Sequence, residues 1–213
     1  NIGGFLAMRL PSQVSMHSAT GSMFTFIREG VQYAIHTPAI RLLLLFIGLL
    51  SLLSTPYTVL MPIFAKDILH GGPDSMGALM GAAGTGAVIG SIFIKHNRDS
   101  NKLGRTIVSS LIRFGVGLML FALSRNFWLS LALLPLVGSG FMVPMSAANT
   151  LLQTLTPDHL RGRVMSLFLM MFMGAPPLAS LLSGSLASHI GPPMTVGLTG
   201  VAFLASAVWF TAR

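Results

Sequence analysis

The longest stretch of this chain without an Asp, Glu, Lys or Arg runs from Val164 to Ala212, 49 residues, and a second runs from Asn126 to Pro157, 32 residues. A helix that crosses the hydrocarbon core of a bilayer needs about 20 predominantly apolar residues. The first stretch is long enough for two crossings and the second for one. Arg41 to Lys66 encloses 24 uncharged residues, and Asp74 to Lys95 encloses 20. The segment Thr106–Ser124 is interrupted only by Arg113. These gaps predict six spans near 40–62, 76–94, 106–124, 128–153, 164–184 and 193–211, the last two separated by a turn at Gly191-Pro192-Pro193. Only 8% of the 213 residues are charged, against about 25% in a soluble domain. That is too little charge to cover a surface in water. The expected fold class is all-α, a polytopic membrane bundle of six transmembrane helices.

The net charge of +8 raises the question of nucleic-acid binding. The 13 cations are scattered through short loops, with no basic run and no aromatic-studded basic face, so no nucleic-acid partner is expected. Their distribution instead orients the bundle. The loop 95–105 carries Lys95, Arg98, Lys102 and Arg105, and the loop 154–163 carries Arg161 and Arg163. Arg9, Arg28 and Arg41 precede the first span, and Arg213 ends the last. An alternating path puts these ten on one side and leaves Lys66 and Arg125 on the other. By the positive-inside rule, both ends of the six-span unit are expected in the cytoplasm of a cell (inner or plasma) membrane protein. There is no cysteine, and the six His (His17, His36, His70, His96, His159, His189) show no paired ligand spacing. No metal or other cofactor is expected. No nucleophile–base pair or acid dyad points to an enzyme.

The first residues, Asn1 to Met8, read as the last turns of a preceding membrane helix, so that 1–9 would be the end of a truncated span and the chain a fragment. Residues 10–39 read as a cytoplasmic linker. Within it Pro11–Ser22 is small and polar, and Phe24, Ile27, Val31 and Ile35 then fall at helical spacing before Pro38. This is an amphipathic helix, either a packed connector (the preferred reading) or a membrane-surface helix. Residues 40–213 form the bundle.

The segment from Leu155 to Ser166, LTPDHLRGRVMS, resembles the P-[DE]-x-x-R-G-R-[VA]-M loop between the tenth and eleventh helices of major facilitator superfamily transporters. That version is typical of drug and siderophore exporters similar to the enterobactin exporter. The segment from Gly90 through Lys95 to Leu103-Gly104-Arg105 resembles the superfamily's loop signature as repeated between helices eight and nine. Here the loop is longer, and its Arg98-Asp99 order is reversed. The amphipathic helix matches the one that joins the two halves of such transporters. The resemblance covers essentially the whole chain. It implies that the six spans are helices seven to twelve, the C-terminal half, and that an N-terminal six-helix half is the missing partner. It also implies alternating access and proton antiport.

Polar groups inside a membrane are costly unless they face a cavity or a partner. In the fourth span Ser139, Met142, Ser146, Asn149 and Gln153 are spaced to share one helix face. In the first span Ser51, Ser54, Thr55 and Thr58 do roughly the same, next to Pro56. These two helices either line a substrate cavity or bond to neighbouring helices. The candidate substrate-binding residues are Ser54, Thr55, Thr58, Arg113, Met142, Ser146, Asn149 and Gln153. Arg113 is the single charge within a span. It either snorkels to the interface or attracts an anionic substrate or an acid of the other half. Gly77, Gly81, Gly84, Gly86 and Gly90 stud the second span, for close packing or as a rocking surface. Asp158 and Arg161 can pair across one helical turn. With Lys95, Arg105, Gly162 and Arg163 they are the candidate gating residues, the alternative being a solvated positive-inside anchor. The expected function is part of a secondary active exporter of amphipathic small molecules, drugs or siderophores. The rival is a truncated, non-transporting membrane module, or a half-transporter that assembles as a dimer.

Overall fold

A computed structural model describes the backbone of residues 23–96 and 100–211, and the side chains of residues 27–92 and 106–208. The described chain is helical, without strands. Helix α1 (Met23–His36) lies outside the bundle. Six longer helices follow: α2 (Pro38–Ile63), α3 (Pro73–His96), α4 (Ser100–Leu123), α5 (Phe127–Leu155), α6 (Asp158–Ile190) and α7 (Pro192–Thr211). A π-helical turn, Phe64–Ile68, extends α2. By length and hydropathy α2 to α6 can each cross a bilayer, and Pro192–Val208 of α7 is a shorter apolar helix. The six expected spans are therefore six helices. The fifth is longer than the expected 164–184, because the signature loop itself is wound into its first turns.

Local chemistry sets the boundaries. Thr37 is extended, and Pro38 takes the first turn of α2, where its missing N–H costs nothing. Asn126 caps α5: its Oδ1 accepts from the Trp128 and Leu129 amides at 2.9 and 3.3 Å. Gly191 ends α6 at φ +84°, a conformation that disfavours any side chain, and Pro192 opens α7. Pro176 and Pro177 lie within α6 without breaking it.

Helix α5 packs against α3 on one side and α4 on the other; α4 also packs on α7, and α2 on α6. Missing side chains let these helices approach closely. An added Cβ at Gly86 would stand 2.1 Å from the Pro135 oxygen, and one at Gly138 would stand 1.8 Å from the Ala83 oxygen. Gly115 and Gly200 meet across α4 and α7 in the same way: a Cβ added to either would stand 2.8 Å from the other's carbonyl oxygen. Phe114 and Phe203 seal that contact edge to face at 4.5 Å. The Ser51 hydroxyl donates to the Phe172 carbonyl at 2.7 Å, tying α2 to α6.

The outside is apolar. Met170, Met173, Leu181 and Leu182 of α6 are 64–73% exposed, which is the surface a lipid solvent requires. Helices α3 and α6 are the least covered: 17% of each spanning window is buried, against 44% in α2, α4 and α5. On these two helices Gly77, Gly81, Gly84, Gly174 and Gly184 face open space, where an added Cβ would meet nothing within 4 Å. The glycines of the second span thus divide. Gly86 and Gly90 pack against α5, and the other three face outward.

Helix α1 forms where the apolar spacing places it, but it buries a different line. Gly30 and Ala34 face the protein, while Ile27 and Ile35 are half exposed. Gly30 is the contact point: an added Cβ would sit 3.0 Å from Cβ of Arg163. The residue without a side chain admits the close approach, so Ile27 and Ile35 are left outside while Val31 is half-buried. Phe24 lies outside the described side chains, and the stretches 1–9 and 11–22 lie outside the described residues.

Candidate functional site

Helix α2 presents Ser54 and Thr58 one turn apart on its half-open face. Both hydroxyls bond to their own helix, Ser54 donating to the Ser51 carbonyl at 3.1 Å and Thr58 to the Thr55 carbonyl at 2.9 Å. Such back-bonding satisfies the donor and leaves the oxygen as an acceptor. Thr55 is buried and donates to the Ser51 carbonyl at 2.7 Å.

Two grooves flank these hydroxyls, and Ser54 and Thr58 line both. The first, about 240 Å³, lies between α2, α3 and α5, with Tyr57, Met61, Met80, Gly84, Phe141 and Met142 on its walls. The second, about 620 Å³, lies between α2, α5 and α6, with Thr55, Phe172, Met173, Pro176 and Ser180. Phe141 borders both. The walls are aromatic rings and Met thioethers with a few hydroxyls. Such a surface accepts flexible apolar ligands through adaptable contacts. Three of the helices around the grooves contain interior prolines: Pro56 and Pro62 in α2, Pro135 and Pro144 in α5, Pro176 and Pro177 in α6.

The structure brings Ser54, Thr55, Thr58 and Met142 to these grooves and places the other candidates elsewhere. Ser146 is half-buried below Met142 on α5, and its carbonyl accepts from Thr150 at 2.9 Å. Asn149 and Gln153 bond to each other, the Gln153 amide donating to the Asn149 side-chain oxygen. They sit at the far end of α5, beside the turn into α6, and line neither groove. Ser139 turns to the opposite side of the α3–α5 seam, where Arg113 also lies, in a separate groove of about 680 Å³. The 3–4 spacing holds these residues within a common sector of α5. That sector straddles the line where α3 packs, and the seam divides it.

The turn between α5 and α6 is built on charge. Pro157 precedes α6, Asp158 stands in its first turn, and Arg161 pairs with Asp158 at 2.6 Å. Arg161 Nε also donates to the Gln153 carbonyl at 3.1 Å. A cation there complements the free carbonyls that end α5. Arg163 pairs with Glu29 of α1, so the same turn holds the surface helix. The Glu29 contact has no signal in the local sequence, because the partners are 134 residues apart. Gly162 faces open space. The side chains of Lys95 and Arg105 lie outside those described.

Comparison with known proteins agrees with this architecture. Residues 6–212 match the family described as transmembrane secretion effector. The multidrug efflux pump Tap of Mycolicibacterium fortuitum is 27% identical over 173 residues, covering 81% of this chain and 42% of that protein. An uncharacterised facilitator-type transporter of Bacillus subtilis, YfmI, is 25% identical over 154 residues, covering 68% and 36%. The chain spans less than half the length of these curated relatives. With six apolar helices, interior prolines and the charged α5–α6 turn, it is a multi-pass membrane chain that belongs to the transmembrane secretion effector family of the major facilitator superfamily, with efflux-type relatives.

Proposed function

We propose that the chain is one six-helix half of a secondary exporter of amphipathic small molecules, working by alternating access. The observation that carries this reading is the placement of Ser54 and Thr58. They are the polar groups shared by two apolar, aromatic-lined grooves on one face of the bundle. A second six-helix half completes the cavity by covering Gly77 and Gly81 of α3 and Gly174 and Gly184 of α6, while Gly84 stays on the groove wall. Bare glycine in lipid gains nothing, whereas against another helix it permits close packing. The partial coverage of the relatives supports such a second half. The relative that is named a multidrug efflux pump supports the substrate class.

Both ends of the unit face the cytoplasm, a reading that the cation distribution supports. The α5–α6 turn then lies on the cytoplasmic side and acts as a latch. Asp158–Arg161 and Glu29–Arg163 hold helix ends together in one state and release them in the other. Coupling is to protons. All five acids of this chain (Glu29, Asp67, Asp74, Asp99, Asp158) fall outside the spans predicted from the sequence, so the carboxylate that carries the proton across belongs to the other half.

The test is export of a fluorescent amphipathic dye from cells making the full transporter, with Thr58→Trp as the variant that fills both grooves. The expected result is lost export at normal membrane abundance. Undiminished export by Thr58→Trp would remove the grooves from the pathway.

A further inference from the structure

Arg113 lies in the middle of α4, eight residues after Arg105, roughly 12 Å along the helix. It is exposed, and it opens into the groove between α3, α4 and α5 on the side of the α3–α5 seam away from Ser54 and Thr58. The guanidinium is turned back toward the start of α4. Its Nε donates to the Ser109 carbonyl at 3.3 Å, and Nη2 donates to the Ser110 hydroxyl at 2.9 Å. That raises the charge by about one helical turn, or about 5 Å, toward the membrane surface. A guanidinium has five N–H donors, and these two bonds leave three for an acceptor outside its own helix.

We infer that this groove is a binding site for an anionic phospholipid of the leaflet nearest the start of α4, its phosphate held by Arg113. The occupant follows from the walls. No acidic side chain is among the described residues that line the groove. Against that lining the Arg113 cation meets no opposite charge, and the ammonium of a zwitterionic headgroup finds no partner there. Beside Arg113, Ile89, Leu136 and Val143 supply an apolar wall. A polar mouth over an apolar trough fits a headgroup followed by an acyl chain. Basic pockets between spanning helices bind anionic headgroups on the same principle. The site lies outside the substrate grooves, so the inference stands whether or not the transport reading does.

Native mass spectrometry of the purified protein, titrated with phosphatidylglycerol or with phosphatidylcholine of the same chains, tests it. The expected result is about a fivefold preference for phosphatidylglycerol, the worth of one cation near the surface. In Arg113→Gln that preference falls to parity. Ala132 also lines the groove and is exposed, so Ala132→Trp fills the trough without touching the charge and reduces retention of the anionic lipid as well. Equal preference in the wild type and Arg113→Gln overturns the inference. If Arg113→Gln does not fold, undiminished retention of phosphatidylglycerol by a folded Ala132→Trp does the same. Displacement of the lipid by excess inorganic phosphate would reassign Arg113 to a soluble anion and also overturn it.

Discussion

Replacing Gly138 by Ala adds one methyl group at the tightest point of the bundle. That carbon would stand 1.8 Å from the Ala83 oxygen and 2.8 Å from the Ala83 carbonyl carbon, where ordinary contact begins at 3.4 Å. The neighbour is helix backbone and cannot rotate aside, so α3 and α5 must separate by about 1.6 Å to restore ordinary contact with the oxygen. Overpacking of this kind costs about 1–3 kcal/mol. A protein of this size loses about 2–4 °C of Tm per kcal/mol, so the expected drop is roughly 2–12 °C. Gly84→Ala is the matched control on α3, because its added carbon meets nothing within 4 Å. There the helix gains about 0.5–1 kcal/mol from the better helix former, and Tm should hold or rise. The assay is thermal unfolding of the purified protein in detergent, followed by tryptophan fluorescence and by loss of monodispersity. If Gly138→Ala melts at or above Gly84→Ala, the α3–α5 seam is not packed as described.

Two further outcomes follow from the same structure. Glu29→Arg should weaken dye export, and the exchanged pair Glu29→Arg with Arg163→Glu should recover it. The half-exposed pair itself contributes under about 1 kcal/mol to stability, so both variants should melt near the wild type; export unaffected by Glu29→Arg would remove the latch. Gly191→Ala forces a side chain into the positive-φ turn between α6 and α7 at a cost of about 1–3 kcal/mol, and an unchanged Tm would contradict the turn geometry.

The number and order of helices were legible because they depend on where charges are absent, a property of the chain alone. The Gly191-Pro192 turn was legible for a similar reason: no continuous helix passes through it. The Asp158–Arg161 pair followed from i, i+3 spacing. What remained hidden depends on which side of each helix its neighbour occupies. The stripe from Ser139 to Gln153 is one sector of α5, yet the α3 seam runs through it and sends Ser139 to Arg113 and Met142 to Thr58. The five glycines of α3 look alike in sequence. Only the position of Pro135 and Ser139 on α5 distinguishes the packed Gly86 and Gly90 from the three that face outward. Asn149 and Gln153 look like independent amides in sequence, but at i, i+4 the Gln153 amide donates to the Asn149 side-chain oxygen. On α1 the spacing of Ile27 and Ile35 marked an apolar face, and the closer fit of Gly30 against Arg163 decided what was buried.

The central claim is that Ser54 and Thr58 stand in the path of the substrate. This chain has no cysteine, so in a full transporter whose other half has any cysteine replaced by serine a single Thr58→Cys can be labelled against a silent background, with Val201→Cys on the exposed face of α7 as the lipid-facing control. Labelling by a water-soluble maleimide in membranes, with and without an exported dye, is the most direct measurement. The expected result is that the Thr58→Cys thiol reacts, that the Val201→Cys thiol does not, and that the dye slows the reaction of the former. An unreactive thiol in Thr58→Cys, or one that the dye does not protect, would contradict the claim.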